Sequence, residues 1–345
     1  MSSINIFKEE HPTIDSYWRA LILFGRNTAS YKFALSKSLL ELTQNGNTSV
    51  SLSDLAVIYS SKICEHLKLS EKQSSGKDGL FIEACKKFNS NMITQDELIE
   101  RTVKNGFNYV LDAFHVVNDE HIPIEFYKKD FSSRNKKLIL TDDMFKLLND
   151  PCAINFINET EARWRLVETA WELGVSKNLL NIKYDSEEQE LFIIDNYLKR
   201  KDITSARSAL NGYQKGKCFY CFRDISVEKI SENSCDVDHF FPHVLKPLIP
   251  HANLDGVWNL VLSCSHCNRG FDGKFAKVPS TNYLERLHKR NEFLIASHHP
   301  LRETLMSQTG ETTEKRINFL KEIDKIAINA LIHRWEVKPN ATEVF

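Results

Sequence analysis

No stretch of the chain approaches the ~18–20 uninterrupted apolar residues of a membrane-spanning helix. The opening residues, MSSINIFKEEHPTIDSYWRA, lack the basic start and apolar core of a secretory signal. The expectation is a cytoplasmic protein with no membrane partner. There is no large net charge either: 45 Lys and Arg stand against 46 Asp and Glu. That balance excludes a polycation, so any nucleic acid must be held by a local patch. No internal repeat and no low-complexity segment is visible. What is there is ordinary for a globular chain: 345 residues, 42% hydrophobic and 26% charged, enough for two or three domains with a sizeable core.

Apolar residues recur at helical spacing through residues 15–45, and Asn45-Gly46-Asn47 ends the run. Ser51 or Ser53 is a candidate N-cap for the helix SDLAVIYSSKICEHL. Thr94 and Glu97 have the spacing of a capping box. HIPIEFYKKDF and the start of KLILTDDMFKLL read as short extended pieces, followed by a helix capped at Thr141. Glu159–Leu173 reads as another helix, stopped by Gly174, whereas LFIIDNYL fits a helix or a strand. From Tyr283 onward two helices are expected, with His298, His299 and Pro300 in the break between them; the two histidines read as an exposed loop pair.

After Leu198 the texture becomes basic and turn-rich. Residues 199–290 carry 15 Lys and Arg against 9 Asp and Glu, while the rest of the chain carries 30 against 37. A near-neutral protein with one module facing nucleic acid would show this asymmetry. The predicted fold class is α+β and mostly helical. A helical domain over 1–198 would select a substrate or a protein partner, a second domain would cover 199–285, and a helical segment would follow over 286–345.

Of eight cysteines, Cys64, Cys85, Cys152 and Cys235 are scattered. The others form two identical pairs, Cys218-x-x-Cys221 and Cys264-x-x-Cys267, separated by 42 residues. In a reducing compartment such pairs indicate metal rather than disulfides. Two knuckles supply the four thiolates of a structural Zn²⁺ site, which is closed and holds structure rather than catalysing.

Inside the loop closed by those knuckles lie CDVDHFFPHVLKP and GVWNLVLSC, and Asn268 follows Cys267 directly. Val237 to His239 suits a strand ending at Pro242, and Trp258 to Leu262 suits a second. Phosphodiester hydrolysis needs an activated water and neutralised charge at phosphorus. His239 suits the general base, because a neutral imidazole near pH 7 accepts a proton. Asp238 and Asn268 offer hard oxygen ligands for Mg²⁺ or Mn²⁺. Neighbours on a strand point to opposite faces, so Asp238 and His239 need a bent strand end to serve one site.

The order CxxC, Asp-His, Asn-Leu, CxxC-Asn closely resembles the zinc-knuckle branch of the HNH endonuclease family, over roughly residues 210–280. The resemblance implies a zinc-stapled ββα-metal fold over 199–285 and hydrolysis of DNA. It implies His239 as general base, Asp238 and Asn268 as catalytic-metal ligands, and Asn259 as a brace for the loop and the base. Asn268 stands where many members have histidine, which favours Mg²⁺ or Mn²⁺ over softer ions. Arg269 and Lys274 are the candidate phosphate contacts. His243 and His251 read as loop residues. Proteins of similar architecture serve bacterial restriction or phage defence. The rival readings are an RNA-directed nuclease, a zinc-stabilised nucleic-acid-binding module without catalysis, and an interaction protein working through its helical N-terminal region.

Overall fold

The structure, a computed structural model, describes residues 13–23, 28–117, 120–133, 135–149, 153–172, 182–194, 200–228, 231–296 and 301–337. It is α+β and mostly helical, with small sheets. The chain divides into two compact units, Glu10–Lys177 and Asn178–Phe345. Among the described residues no helix is long and apolar enough to cross a membrane.

The first unit contains α1 (Ile14–Leu23), α2 (Tyr31–Gln44), β1 (Ser49–Ser51), α3 (Leu52–Leu69), α4 (Leu80–Asn89), α5 (Gln95–Asn105) and α6 (Val110–Ala113). Then come β2 (Val116–Val117), β3 (Glu120–His121), β4 (Tyr127–Asp130), β5 (Lys137–Leu140), α7 (Asp142–Leu148) and α8 (Ala153–Glu172). Local chemistry sets several boundaries. The Ser51 hydroxyl accepts from the Asp54 amide at the start of α3, and Thr94 with Glu97 closes a full capping box on α5. β5 is central in the sheet order β1-β5-β4. Trp18, Phe33, Tyr59, Phe81, Phe114, Phe126 and Trp164 fill one core. Arg19 and Glu159 are both buried and pair at 2.8 Å, so Glu159 is an ion-paired residue of α8 rather than a solvated one.

The second unit opens with a three-stranded meander, β6 (Lys183–Asp185), β7 (Glu190–Ile194) and β8 (Arg200–Ser205), followed by α9 (Ala206–Gln214). The ambiguous LFIIDNYL stretch is thus a strand over its first four residues; the remainder lies outside the described residues. Next come β9 (Cys235–His239) and β10 (Leu260–Cys264), paired antiparallel with Cys235 opposite Cys264 and His239 opposite Leu260. After them stand α10 (Ser265–Arg269), β11 (Val278–Pro279), α11 (Thr281–Ala296), α12 (Arg302–Thr309), α13 (Thr313–Leu331) and β12 (Arg334–Trp335). His298 and His299 lie outside the described residues. The change of texture at 198 falls inside this unit, because the meander belongs to it.

Candidate active site and metal centres

The two CxxC pairs meet. All four sulfurs lie within 4.8 Å of one another, and no disulfide joins them. The Cys221 and Cys264 sulfurs are 3.8 Å apart. Tetrahedral zinc with Zn–S near 2.3 Å puts its sulfurs about 3.8 Å apart, so the spacing suits that ion. β10 delivers Cys264 as the N-cap of α10, and α10 delivers Cys267. The first knuckle is tied to the second, as the Cys264 amide donates to the Cys218 sulfur at 3.3 Å.

His239 ends β9 and is 15% exposed. Its Nε2 lies 3.1 Å from Asp255 Oδ1. A carboxylate only accepts, so Nε2 carries the proton and Nδ1 keeps the lone pair. His243 Nε2 meets the same Asp255 oxygen at 2.7 Å, and Lys246 Nζ takes Asp255 Oδ2 at 2.6 Å. Burial lowers the His239 pKa to about 4, with His243 adding to the effect and Asp255 opposing it. The imidazole is therefore neutral at pH 7. Asp255 is itself held below the usual carboxylate range: burial opposes this, but the hydrogen bonds from Lys246 and His243 outweigh it.

Strand alternation turns Asp236 and Asp238 to the face opposite His239. Asp238 is buried, with Tyr220 donating to Oδ2 at 2.6 Å and Lys274 Nζ on Oδ1 at 3.1 Å. Burial raises the Asp238 pKa, and the Lys274 charge opposes that. Lys274 is 1% exposed and also donates to the carbonyls of His239 and Phe275. The expectation that Lys274 touches phosphate is therefore corrected: its ammonium is spent inside the protein. Arg269 differs. Its side chain is 67% exposed, and it holds Asp236 through two nitrogens, Nε at 3.1 Å and Nη2 at 3.3 Å. Asn268 Nδ2 donates to Asp236 Oδ2 at 3.1 Å. The side chains of Asp238, His239 and Asn268 thus engage separate partners.

Asn259 is fully buried and makes three hydrogen bonds. Its Oδ1 accepts from the Phe241 amide at 2.8 Å, and its Nδ2 donates to the Phe241 and Leu254 carbonyls. It clamps the turn after His239 to the loop that carries Asp255.

Comparison with known families matches residues 218–279 to the family described as HNH endonuclease. Residues 218–279 are an HNH endonuclease domain. No curated protein and no solved structure matches the chain.

Elements outside the matched segment complete the HNH domain. Arg286 on α11 donates to the Phe219 and Tyr220 carbonyls between the first two cysteines. Arg290 and Asn291 donate to the Trp258 carbonyl. From β12, the Trp335 indole donates to the Asp272 carbonyl at 2.7 Å. The domain boundary expected at 285 runs through these contacts. The turn after α10 is tight, since a Cβ on Gly270 would lie 2.5 Å from the His266 carbonyl oxygen. That turn presents Phe271, 99% exposed, two residues after Arg269.

Sequence reasoning missed Asp236, His243, Asp255 and Tyr220. Asp236 had a signal, because it alternates with Asp238 and so shares its face. Asp255 had none: its place follows from how residues 243–256 fold back on β9.

Proposed function

We propose that the chain is a metal-dependent HNH endonuclease that hydrolyses phosphodiester bonds of double-stranded DNA, with a structural zinc on Cys218, Cys221, Cys264 and Cys267. One observation carries the reading: within the matched segment, His239 is neutral, partly exposed and fixed by Asp255 in the tautomer that leaves Nδ1 free. His239 takes the proton of the attacking water at Nδ1, and Asp255 stabilises the imidazolium that forms. Asn259 is the positioning residue that holds the His239 turn against the Asp255 loop.

Asp236, Asp238 and the amide oxygen of Asn268 are hard donors, and their chemistry fits Mg²⁺ or Mn²⁺. Lys274 on Asp238 marks the face as one that needs positive charge. A divalent ion held there, by Asp238 and Asn268 with Asp236 beside them, would supply charge neutralisation at the phosphate and the leaving oxygen, and because His239 is the last residue of β9 the base and the ion would meet one phosphate around the end of that strand. Arg269 reaches phosphate, and the exposed Phe271 ring fits stacking on a base. The helical unit ending at Lys177 is assigned to substrate or partner selection, in a cytoplasmic restriction or defence role.

One observation favours a second reading, a binding module without catalysis: Lys274 already holds the Asp238 carboxylate. Supercoiled plasmid with Mg²⁺ or Mn²⁺, beside His239→Ala and a chelator control, separates the two. Nicking that needs both the ion and His239 supports the nuclease, with His239→Ala slower by about 10²–10⁴-fold. Binding without nicking in both proteins supports the module.

A further inference from the structure

His239, His243 and Asp255 bring two imidazole Nε2 atoms and one carboxylate oxygen within 4.8 Å of one another. The nitrogens stand 3.1 and 2.7 Å from Asp255 Oδ1. Ligands of a four-coordinate ion with bonds of about 2.0–2.2 Å sit roughly 3.3–3.5 Å apart. The two nitrogen–oxygen spacings therefore need to open by about 0.2–0.8 Å to receive an ion, while the two nitrogens already lie within 4.8 Å of each other. Lys246 holds Asp255 by its other oxygen, which orients Oδ1 without blocking it. His243 is 49% exposed, so solvent reaches the cluster and can fill a remaining coordination position.

The donor set selects the ion. Two imidazoles and one carboxylate suit Zn²⁺, Co²⁺ or Ni²⁺ far better than Mg²⁺. The cluster shares no residue with the four-cysteine site. It also lies on the face of β9 opposite Asp236 and Asp238, so it is separate from the oxygen-rich side of the hairpin.

We propose that His239, His243 and Asp255 form a third metal site, specific for transition ions, whose occupancy shuts off hydrolysis. The inhibitory half rests on the general-base role proposed above; the binding half does not. Proton abstraction needs the His239 lone pair on Nδ1 and the proton on Nε2. A metal on Nε2 takes that nitrogen's lone pair, which leaves the neutral ring's proton on Nδ1. The two functions require opposite tautomers of one imidazole and exclude each other. Binding shifts the single proton of each neutral imidazole from Nε2 to Nδ1 by exchange with solvent, with no net proton release and no redox change.

The test uses the full chain with its cysteine site filled by zinc. Co²⁺ is titrated and followed by its visible d–d absorption and by calorimetry. A cobalt ion on His239, His243 and Asp255 gives weak visible bands without the near-ultraviolet sulfur charge-transfer that exchange into the cysteine site would produce. Wild type should take up one such ion per chain. His243→Ala and Asp255→Asn should each weaken uptake by at least about 100-fold, since even outer-shell changes cost 10–100-fold. Asp238→Asn should leave it unchanged. Absence of the extra ion, or uptake indifferent to His243→Ala, overturns the site.

In the second arm, one equivalent of Zn²⁺ should suppress Mg²⁺-supported nicking in wild type, while His243→Ala should need at least about tenfold more. Ion uptake without loss of nicking overturns the inhibition and keeps the site. A wild type that never nicks, with or without Zn²⁺, overturns the nuclease reading and the inhibition with it, while the cobalt titration still decides the site.

Discussion

The Lys274–Asp238 pair gives the sharpest energetic prediction. Both side chains are buried, at 1% and 7% exposure, and their charged atoms lie 3.1 Å apart. Lys274→Met keeps the aliphatic stem but leaves a buried carboxylate with Tyr220 as its remaining hydrogen-bond donor. Removing one partner of a buried pair costs about 3–5 kcal/mol. Spread over a unit of this size, that lowers the unfolding midpoint by roughly 6–20 °C. The relevant transition in the full chain is the one that zinc chelation shifts. The deficit should depend on pH with a definite sign. Without Lys274 the folded-state pKa of Asp238 rises further above its unfolded value. Such a carboxyl destabilises the fold at high pH, and the penalty falls as it takes up a proton. The gap between wild type and Lys274→Met should therefore be larger at pH 8 than at pH 5.5. Asp238→Asn placed on Lys274→Met should recover part of the loss, because the amide needs no counter-charge. A midpoint shift under about 2 °C at pH 8, or strict additivity of the two substitutions, would refute the pairing argument.

Three further outcomes are expected. His115 is buried and its Nε2 accepts the Phe126 amide at 3.0 Å, so burial holds its pKa near 4 against an ordinary 6.5. The unfolded chain protonates first, so the unit Glu10–Lys177 should lose about 3 kcal/mol as pH falls from 6.5 to 4. Urea unfolding across that range should show the slope, and His115→Gln should flatten it; an unchanged slope would rule out His115 as its source. Asn259→Ala removes three buried hydrogen bonds and should cost about 3 kcal/mol, read as a lower denaturant midpoint, with cleavage falling beyond what the lost folded fraction explains. Stripping the cysteine site with a strong chelator should unfold residues 218–279 and abolish cleavage; Zn²⁺ enough for the four cysteines should restore the fold, and cleavage should return only when Mg²⁺ is then added, whereas refolding with Mg²⁺ alone would contradict a structural role.

What could be read from the sequence was mostly local. Thr94 and Glu97 form the expected capping box, and of the two N-cap candidates Ser51 and Ser53 it is Ser51 that accepts from the Asp54 amide; both caps are settled within four residues. The CxxC pairs were legible because a knuckle's geometry is fixed by its own spacing, and the matching second pair named the partner. The hairpin around Val237–His239 followed from its apolar pattern and Pro242. Tertiary pairing was not legible. Lys274 read as a surface cation because its burial depends on Asp238 and the His239 carbonyl, 36 and 35 residues earlier. His243 read as loop, and it does sit in a short turn of 3₁₀ helix, yet Asp255 draws it to His239. The expected boundary at 198 followed the change in composition and the one at 285 the end of the resembling segment, whereas the β6–β8 meander lies in the same unit as that segment, and Arg286, Arg290 and Trp335 bond to it.

The last of those residues has a consequence for synthesis on the ribosome. Trp335 grips the Asp272 carbonyl in the turn that also carries Phe271 and leads to Lys274, and β12 pairs with β11 beside it. Every residue of the matched HNH segment has been translated once position 279 is passed, but this clasp waits for position 335. At 5–20 residues per second, that is a delay of roughly 3–11 s. For that interval a nascent chain carries the whole matched segment without the clasp that ties its last turn to the end of the chain.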